Sequence, residues 1–290
     1  MNIAAVGDVH GHLALMYGVL GRWQNESGRR IDLILQLGDL GAFLPGSQLD
    51  QATKKFSQRD PEELGFAEFA GPAPPPTLLD PRPPLVFIPG NHEDFHYLEE
   101  CERSAASAEV TYPVSQDRKI QAMRSGRIFN FSSGGDCVRV GGVGGVDNRP
   151  AKKGKHPRLH LREEDALGLA ESGPGAFDIL ISHDCPYGLW SHNGEVAGSP
   201  SLRLLIEEVR PPLAFFAHYD RVGEWKIGAT EVFGMGGCKY LPWGDWPLSP
   251  DGIAIVRWER GSPLVERLRP AWLQQSTRYN WRHWGRPAAR

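Results

Sequence analysis

Short apolar runs that stop at Gly, Asp, Asn or His recur along this chain. Residues 3–6 run into Gly7-Asp8, residues 31–37 into Gly38-Asp39, and residues 85–88 through Pro89 into Gly90-Asn91-His92. Further on, 179–182 stops at His183 and 213–217 at His218. Continuous apolar runs of this length are the mark of strands buried on both faces. Between them, Leu13, Met16, Tyr17, Leu20 and Trp23 are spaced by threes and fours, which predicts a helix with one apolar face. Helices are also predicted over 163–171 and over 201–209, the latter between Pro200 and Pro211. Later segments, 127–131, 137–146, 231–235 and 253–258, read as strands. The pattern predicts an α/β fold: two packed β-sheets flanked by helices.

Length and composition constrain this picture without changing it. The 290 residues are 40% hydrophobic and 23% charged, enough for one large domain. The expected organisation is a single domain over 1–290. It carries a Pro-rich insertion at about 43–84, holding nine prolines, and an Arg/Trp-rich tail from about 259. The prolines make the insertion read as a mobile segment with one short helix. A net charge of −3 does not mark the whole molecule as a nucleic-acid binder. No run approaches the ~20 apolar residues of a membrane span. The first residues read as a strand rather than a secretory leader. Cys101, Cys137, Cys185 and Cys238 form no paired spacing and are expected to be buried free thiols in a reducing, cytoplasmic setting.

The chemistry lies in the order of the stops. Asp8-x-His10, then Gly38-Asp39, then Gly90-Asn91-His92-Glu93, then His183 and His218 place oxygen and imidazole donors at five consecutive strand ends. Over residues 1–236 this series resembles the calcineurin-like metallophosphoesterases, whose signature is D-x-H, G-D, G-N-H-[DE], H and G-H-x-H. The resemblance implies a layered sandwich and a dinuclear, metal-dependent hydrolase of phosphomonoesters or phosphodiesters. In it, a metal-bridging hydroxide attacks phosphorus. Asp8 and His10 would bind one ion, Asp39 would bridge, Asn91, His183 and His218 would hold the second, and His92 would be the catalytic histidine. Carboxylate, amide and imidazole donors favour Mn²⁺, with Fe or Zn²⁺ as further options.

Three departures refine the expectation. The last motif reads Ala217-His218-Tyr219-Asp220, so Asp220 stands where a histidine would ligate the first metal, and it is expected to ligate in that histidine's place. Gly38-Asp39 continues as Leu40-Gly41-Ala42-Phe43 and lacks the Asp-Arg pair of the Ser/Thr protein phosphatases, which remain an alternative. A catalytically weak metal- or phosphate-binding protein is another. The second half, with Ser182-His183-Asp184-Cys185-Pro186 and a Gly-rich run at 141–145, is similar to the lariat-debranching branch, although that branch typically carries cysteine at the position of Asp8. From it comes the expectation of a phosphodiester substrate, a nucleotide or nucleic acid included. Eleven Lys or Arg against two acids over 118–162 suit such a partner or a solvated basic face, and His156 and His160 there read as exposed loop histidines. Trp243, Trp246 and the tail tryptophans are expected to pin the terminus to the body.

Overall fold

The run-and-stop pattern becomes, in a computed structural model, two sheets stacked face to face. The structure describes residues 1–147, 155–192, 195–240, 247–249 and 251–283. The predicted positions of Trp243, Trp246 and Trp284, and the most basic part of the loop at 148–154, lie outside the described residues.

In chain order the strands are β1 (Asn2–Val6), β2 (Leu33–Gln36), β3 (Leu85–Phe87), β4 (Thr111–Pro113), β5 (Ile120–Met123), β6 (Arg127–Ser133), β7 (Asp136–Val143), β8 (Ile179–Ser182), β9 (Ser191–His192), β10 (Glu195–Val196), β11 (Leu213–Phe216), β12 (Gly223–Ile227), β13 (Thr230–Gly234), β14 (Ile253–Glu259) and β15 (Ser262–Arg267). The helices are α1 (Leu13–Ser27), α2 (Gln51–Ser57), α3 (Phe66–Ala70), α4 (Phe95–Ser104), α5 (Glu163–Ala170), α6 (Pro200–Val209) and α7 (Ala271–Gln274). One sheet runs β15-β14-β1-β2-β3-β5-β4 and the other β12-β13-β11-β8-β7-β6. Strands β9 and β10 make a small separate ribbon.

Alternation within the apolar runs sorts side chains between layers. Ile3 and Ala5 point between the sheets, joined there by Leu35, Val86, Ile181 and Phe215. Ala4 and Val6 point outward beneath α1, and Phe216 and Ala214 outward beneath α5 and α6. Each central strand is therefore buried on both faces, which is why its sequence lacks polar alternation. The central pairs β1–β2, β2–β3, β7–β8 and β8–β11 are parallel. Their carboxyl ends consequently open on the same side of each sheet.

The sequence pattern does not show the antiparallel edge strands β4, β12 and β15, or helix α4. Their residues are half-exposed and mix polar with apolar positions. The insertion also differs from expectation. Residues 43–84 carry α2, a 3₁₀ turn (Pro61–Leu64) and α3, and Phe66, Phe69 and Leu79 are fully buried against α1 and the first sheet. Burying such a side chain contributes roughly 1.5–3 kcal/mol, so three of them anchor the segment. The tail is anchored too: Trp281 is buried, and Trp272 lies under the Arg22 guanidinium (4.4 Å) and donates to Glu26. All four cysteines are free, but only Cys185 and Cys238 are buried; Cys101 is half-buried and Cys137 exposed, because β7 turns that residue outward.

Candidate metal centre

The loops that leave β1, β2, β3, β8 and β11 meet at one end of the sandwich. The first two are tied together through their backbones: Val9 and His10 N–H both donate to the Asp39 carbonyl (3.0 and 2.8 Å), and Gly11 N–H donates to Leu40 (2.8 Å). The third is tied to the second by the Asp39 side chain, whose Oδ1 accepts from the Asn91 and His92 amides, each at 2.7 Å. A Cβ on Gly90 would lie 2.3 Å from that same oxygen, and one on Gly38, at φ +98°, would lie 2.4 Å from the His183 ring. Glycine stands at both positions because Asp39 and His183 occupy the space a side chain would need.

Two trios of donors result, each with ligand atoms within 4.8 Å of one another: Asp8, His10 and Asp39, and Asp39, His183 and His218. Asp39 belongs to both. His10 Nε2 lies 3.9 Å from Asp8 Oδ2 and 3.6 Å from Asp39 Oδ2. His183 Nε2 lies 3.3 Å from Asp39 Oδ1 and 3.1 Å from Asn91 Oδ1, which brings Asn91 to the second trio. The His183 and His218 rings are 4.9 Å apart, and those of His10 and His92 5.2 Å. Asp8, His10, Asp39 and His183 are all buried.

The electrostatics suit cations. The Leu37 carbonyl sits 2.9 Å from His183 Nδ1, which fixes the proton there and aims Nε2 at two oxygens. Three acceptors converging in a buried place require a positive centre between them. In the metal-free protein a proton fills that role: burial works against it, but the Asp39 and Asp8 carboxylates raise His183 to about 9. Burial would also raise Asp39, yet His183, His92 and His10 hold it well below the usual carboxylate range. Burial and His183 push His218 down to about 4, leaving a neutral imidazole with a free lone pair. A metal ion in place of these protons fits the donors present.

The backbone carries a matching signal. Seven non-glycine residues among those described have positive φ, and His10, Asp39, His218 and Asp220 are four of them. Such conformations are costly and persist where surrounding contacts impose them, commonly at functional sites.

Asp220 behaves differently from the rest. It is exposed, it joins neither trio, and its Oδ1 accepts from Gly237 N–H at 3.1 Å. Lys239 instead adds positive charge near Asp8, a residue the motif pattern does not mark. Three further carboxylates support the site, and two of them, Asp50 and Glu63, escape the pattern. Asp50, the N-cap of α2, places Oδ2 3.0 Å from His92 Nδ1, close enough for an ion pair although not aligned as a hydrogen bond. Despite burial, Asp39 and Asp50 together raise His92 to about 9. Buried Glu63 lies 3.9 Å from His10 Nδ1 with one oxygen lacking a hydrogen bond. Glu93 accepts from Leu40, Gly41 and Ala42 N–H and so shapes the loop behind Asp39; burial and Asp39 push it up to about 7. Only Glu93 had a signal available in the sequence, as the fourth residue of the Gly-Asn-His motif. Nothing local marks Asp50 or Glu63.

Known proteins resemble this chain in sequence and in fold. A sequence model described as calcineurin-like phosphoesterase matches residues 1–219. Lariat debranching enzymes of Arabidopsis thaliana (24% identical over 247 residues) and Schizosaccharomyces pombe (27% over 252) each match 75% of the chain, and 54% and 48% of their own lengths. The chain thus spans about half the length of the curated relatives it matches. Among solved structures, TT1561 of Thermus thermophilus superposes with a TM-score of 0.51 at 15% identity, covering 92% of this chain and 99% of its own. GAP50, the anchor in the inner membrane complex of Plasmodium, gives 0.52 at 10%, covering 93% and 88%. Both show likeness of fold.

Proposed function

The chain belongs to the calcineurin-like phosphoesterase family, and from that premise we propose that it hydrolyses phosphodiesters with two divalent metal ions, Mn²⁺ the favoured one. The observation that carries this reading is the pair of buried donor trios sharing Asp39 at the strand ends. Asp8 and His10 would hold one ion, His183, His218 and Asn91 the other, and Asp39, common to both trios, would serve each. The chemistry such ions would supply is neutralisation of phosphoryl oxygens and a lowering of the pKa of water toward ~7.

The chain's own groups supply the rest. His92 is outside both trios and partly accessible, with the Asp50 carboxylate 3.0 Å from its Nδ1 favouring the imidazolium that would donate a proton to the leaving oxygen. Asp50 orients that ring and favours its protonated form. Glu93 and the Asp39 carbonyl keep the loops in register, so the ligands need little rearrangement. A diester is favoured over a phosphoprotein because the Asp39 loop lacks the phosphatase Asp-Arg pair, and because the curated relatives are lariat debranching enzymes. The substrate class proposed is a nucleotide or nucleic-acid diester, without commitment to a lariat. Among the described residues no helix is long and apolar enough to cross a membrane. The free thiols support the cytoplasmic reading.

The test compares bis-p-nitrophenyl phosphate with p-nitrophenyl phosphate on metal-stripped protein, with Mn²⁺ restored and with EDTA as control. Mn²⁺-dependent cleavage of the diester is expected; activity confined to the monoester overturns the diester assignment. A second reading, a weak enzyme that mainly binds phosphate esters, rests on the exposed Asp220, which leaves the first ion fewer ligands. That reading requires one tightly bound ion where the first requires two.

A further inference from the structure

A third group of metal-ligating side chains lies outside the strand-end centre. His96 and Glu99 are three residues apart on α4 and therefore share one face of the helix. His156, from the segment that follows the Gly-rich end of β7, closes on them: one donor atom from each of the three falls within 4.8 Å of the others. His156 Nε2 is 3.4 Å from Glu99 Oε1, and its ring meets His96 edge-on at 5.3 Å. The imidazole does not swing freely as an exposed loop histidine would. Its other face is stacked on Phe95 at 5.0 Å and 6°, and Phe95 is itself buried.

We propose that His96, Glu99 and His156 form a further metal site that takes a Zn²⁺-type ion. Two imidazoles and one carboxylate are a borderline donor set that zinc accepts in tetrahedral geometry, with water in the fourth position. Two features oppose the ion, and neither closes the site. Arg158 Nε is 3.3 Å from Glu99 Oε1, the oxygen that also faces His156, but the same guanidinium pairs with Glu102, which holds it when an ion takes Glu99. Ligation through Nε2 moves the His156 proton to Nδ1 and gives up the contact from Arg158 N–H, which at 3.3 Å is a long one.

An ion here would fasten the basic segment around His156 to α4, the helix that begins just after the Asn91-His92 loop. The site does not depend on the reading of the strand-end centre. Zinc bound per chain is counted by calorimetric titration of chelator-treated full-length protein, in the wild type and in His96→Ala and His156→Ala. Each variant is expected to lose one equivalent relative to wild type, while Asp39→Asn keeps that equivalent and loses those of the strand-end centre. If His156→Ala fails the circular-dichroism check of folding, Glu99→Gln takes its place. A zinc count equal to wild type in either histidine variant overturns the proposal.

Discussion

The strand ends and the insertion both serve the same centre, yet they differ in how they reach it. The donors Asp8, His10, Asp39, Asn91, His183 and His218 leave strands locked on both faces; backbone bonds tie the Asp8 loop to the Asp39 loop, and the Asp39 side chain ties that loop to Asn91 and His92. Residues 43–84 approach from outside, and their carboxylates stand one layer back: Asp50 against His92, Glu63 against His10, Asp60 against His12. The tail completes that layer, since Arg278 pairs with Asp60 and Arg282 with Glu62. The contrast teaches that ligand positions come from the sheet, whereas ring orientation and charge come from a segment that composition alone would class as loose.

Breaking the inner layer has the largest expected effect. Asp39→Asn removes the carboxylate common to both trios, so turnover should vanish and both ions be lost, read by assay and by metal analysis. Normal activity in that variant would falsify the bridging assignment. His92→Ala should retain the ions and lower kcat by about 10³-fold, the size of a general-acid contribution. A metal loss equal to that of Asp39→Asn would instead make His92 a ligand.

The outer layer should act on stability and affinity. His12 is buried and 3.2 Å from Asp60. Burial opposes its charge, but Asp60 raises its pKa above the usual 6.5, and Asp60 is lowered below 3.8 in turn. A raised histidine contributes fully below pH 6.5 and loses its contribution as pH climbs through its folded-state pKa. The lowered carboxylate contributes fully above 3.8. The pair is therefore complete between those limits. Asp60→Asn should cost about 3 kcal/mol there, as for a buried pair broken on one side. Denaturant titrations should show the deficit shrinking at alkaline pH; a deficit independent of pH would assign the loss to Arg278 and packing rather than to His12. Smallest of all, Glu63→Gln should weaken metal binding by about tenfold while leaving kcat at saturating Mn²⁺ unchanged, as expected for a group that orients a ligand from behind. A fall in kcat at saturation would place Glu63 nearer the chemistry than the distances indicate.

Much of the inner layer is legible because it obeys a local rule. An apolar run buried on both faces must end where the sheet ends, and the residue after it stands at the sheet's rim, so Asp8, Asp39 and His183 can be read in place from the pattern around them. Local reading misplaces the insertion, because prolines report backbone restriction and say nothing of the buried Phe66 and Phe69 that fasten it. It misreads His156 for a similar reason: a loop position carries no record of Phe95 and His96 closing around it.

The sequence by itself determined the layered α/β fold, the order of the strand ends and the donor types they present, because strand burial and chain order are properties of neighbouring residues. Only the tertiary structure decided that Asp39 belongs to both trios, that Asp220 turns away to Gly237, and that Asp50 and Glu63 support His92 and His10. Those pairings join residues from 17 positions apart (Asp220 and Gly237) to 179 (Asp39 and His218), and their closeness follows from how the packed layers bring distant loops to one end of the sandwich.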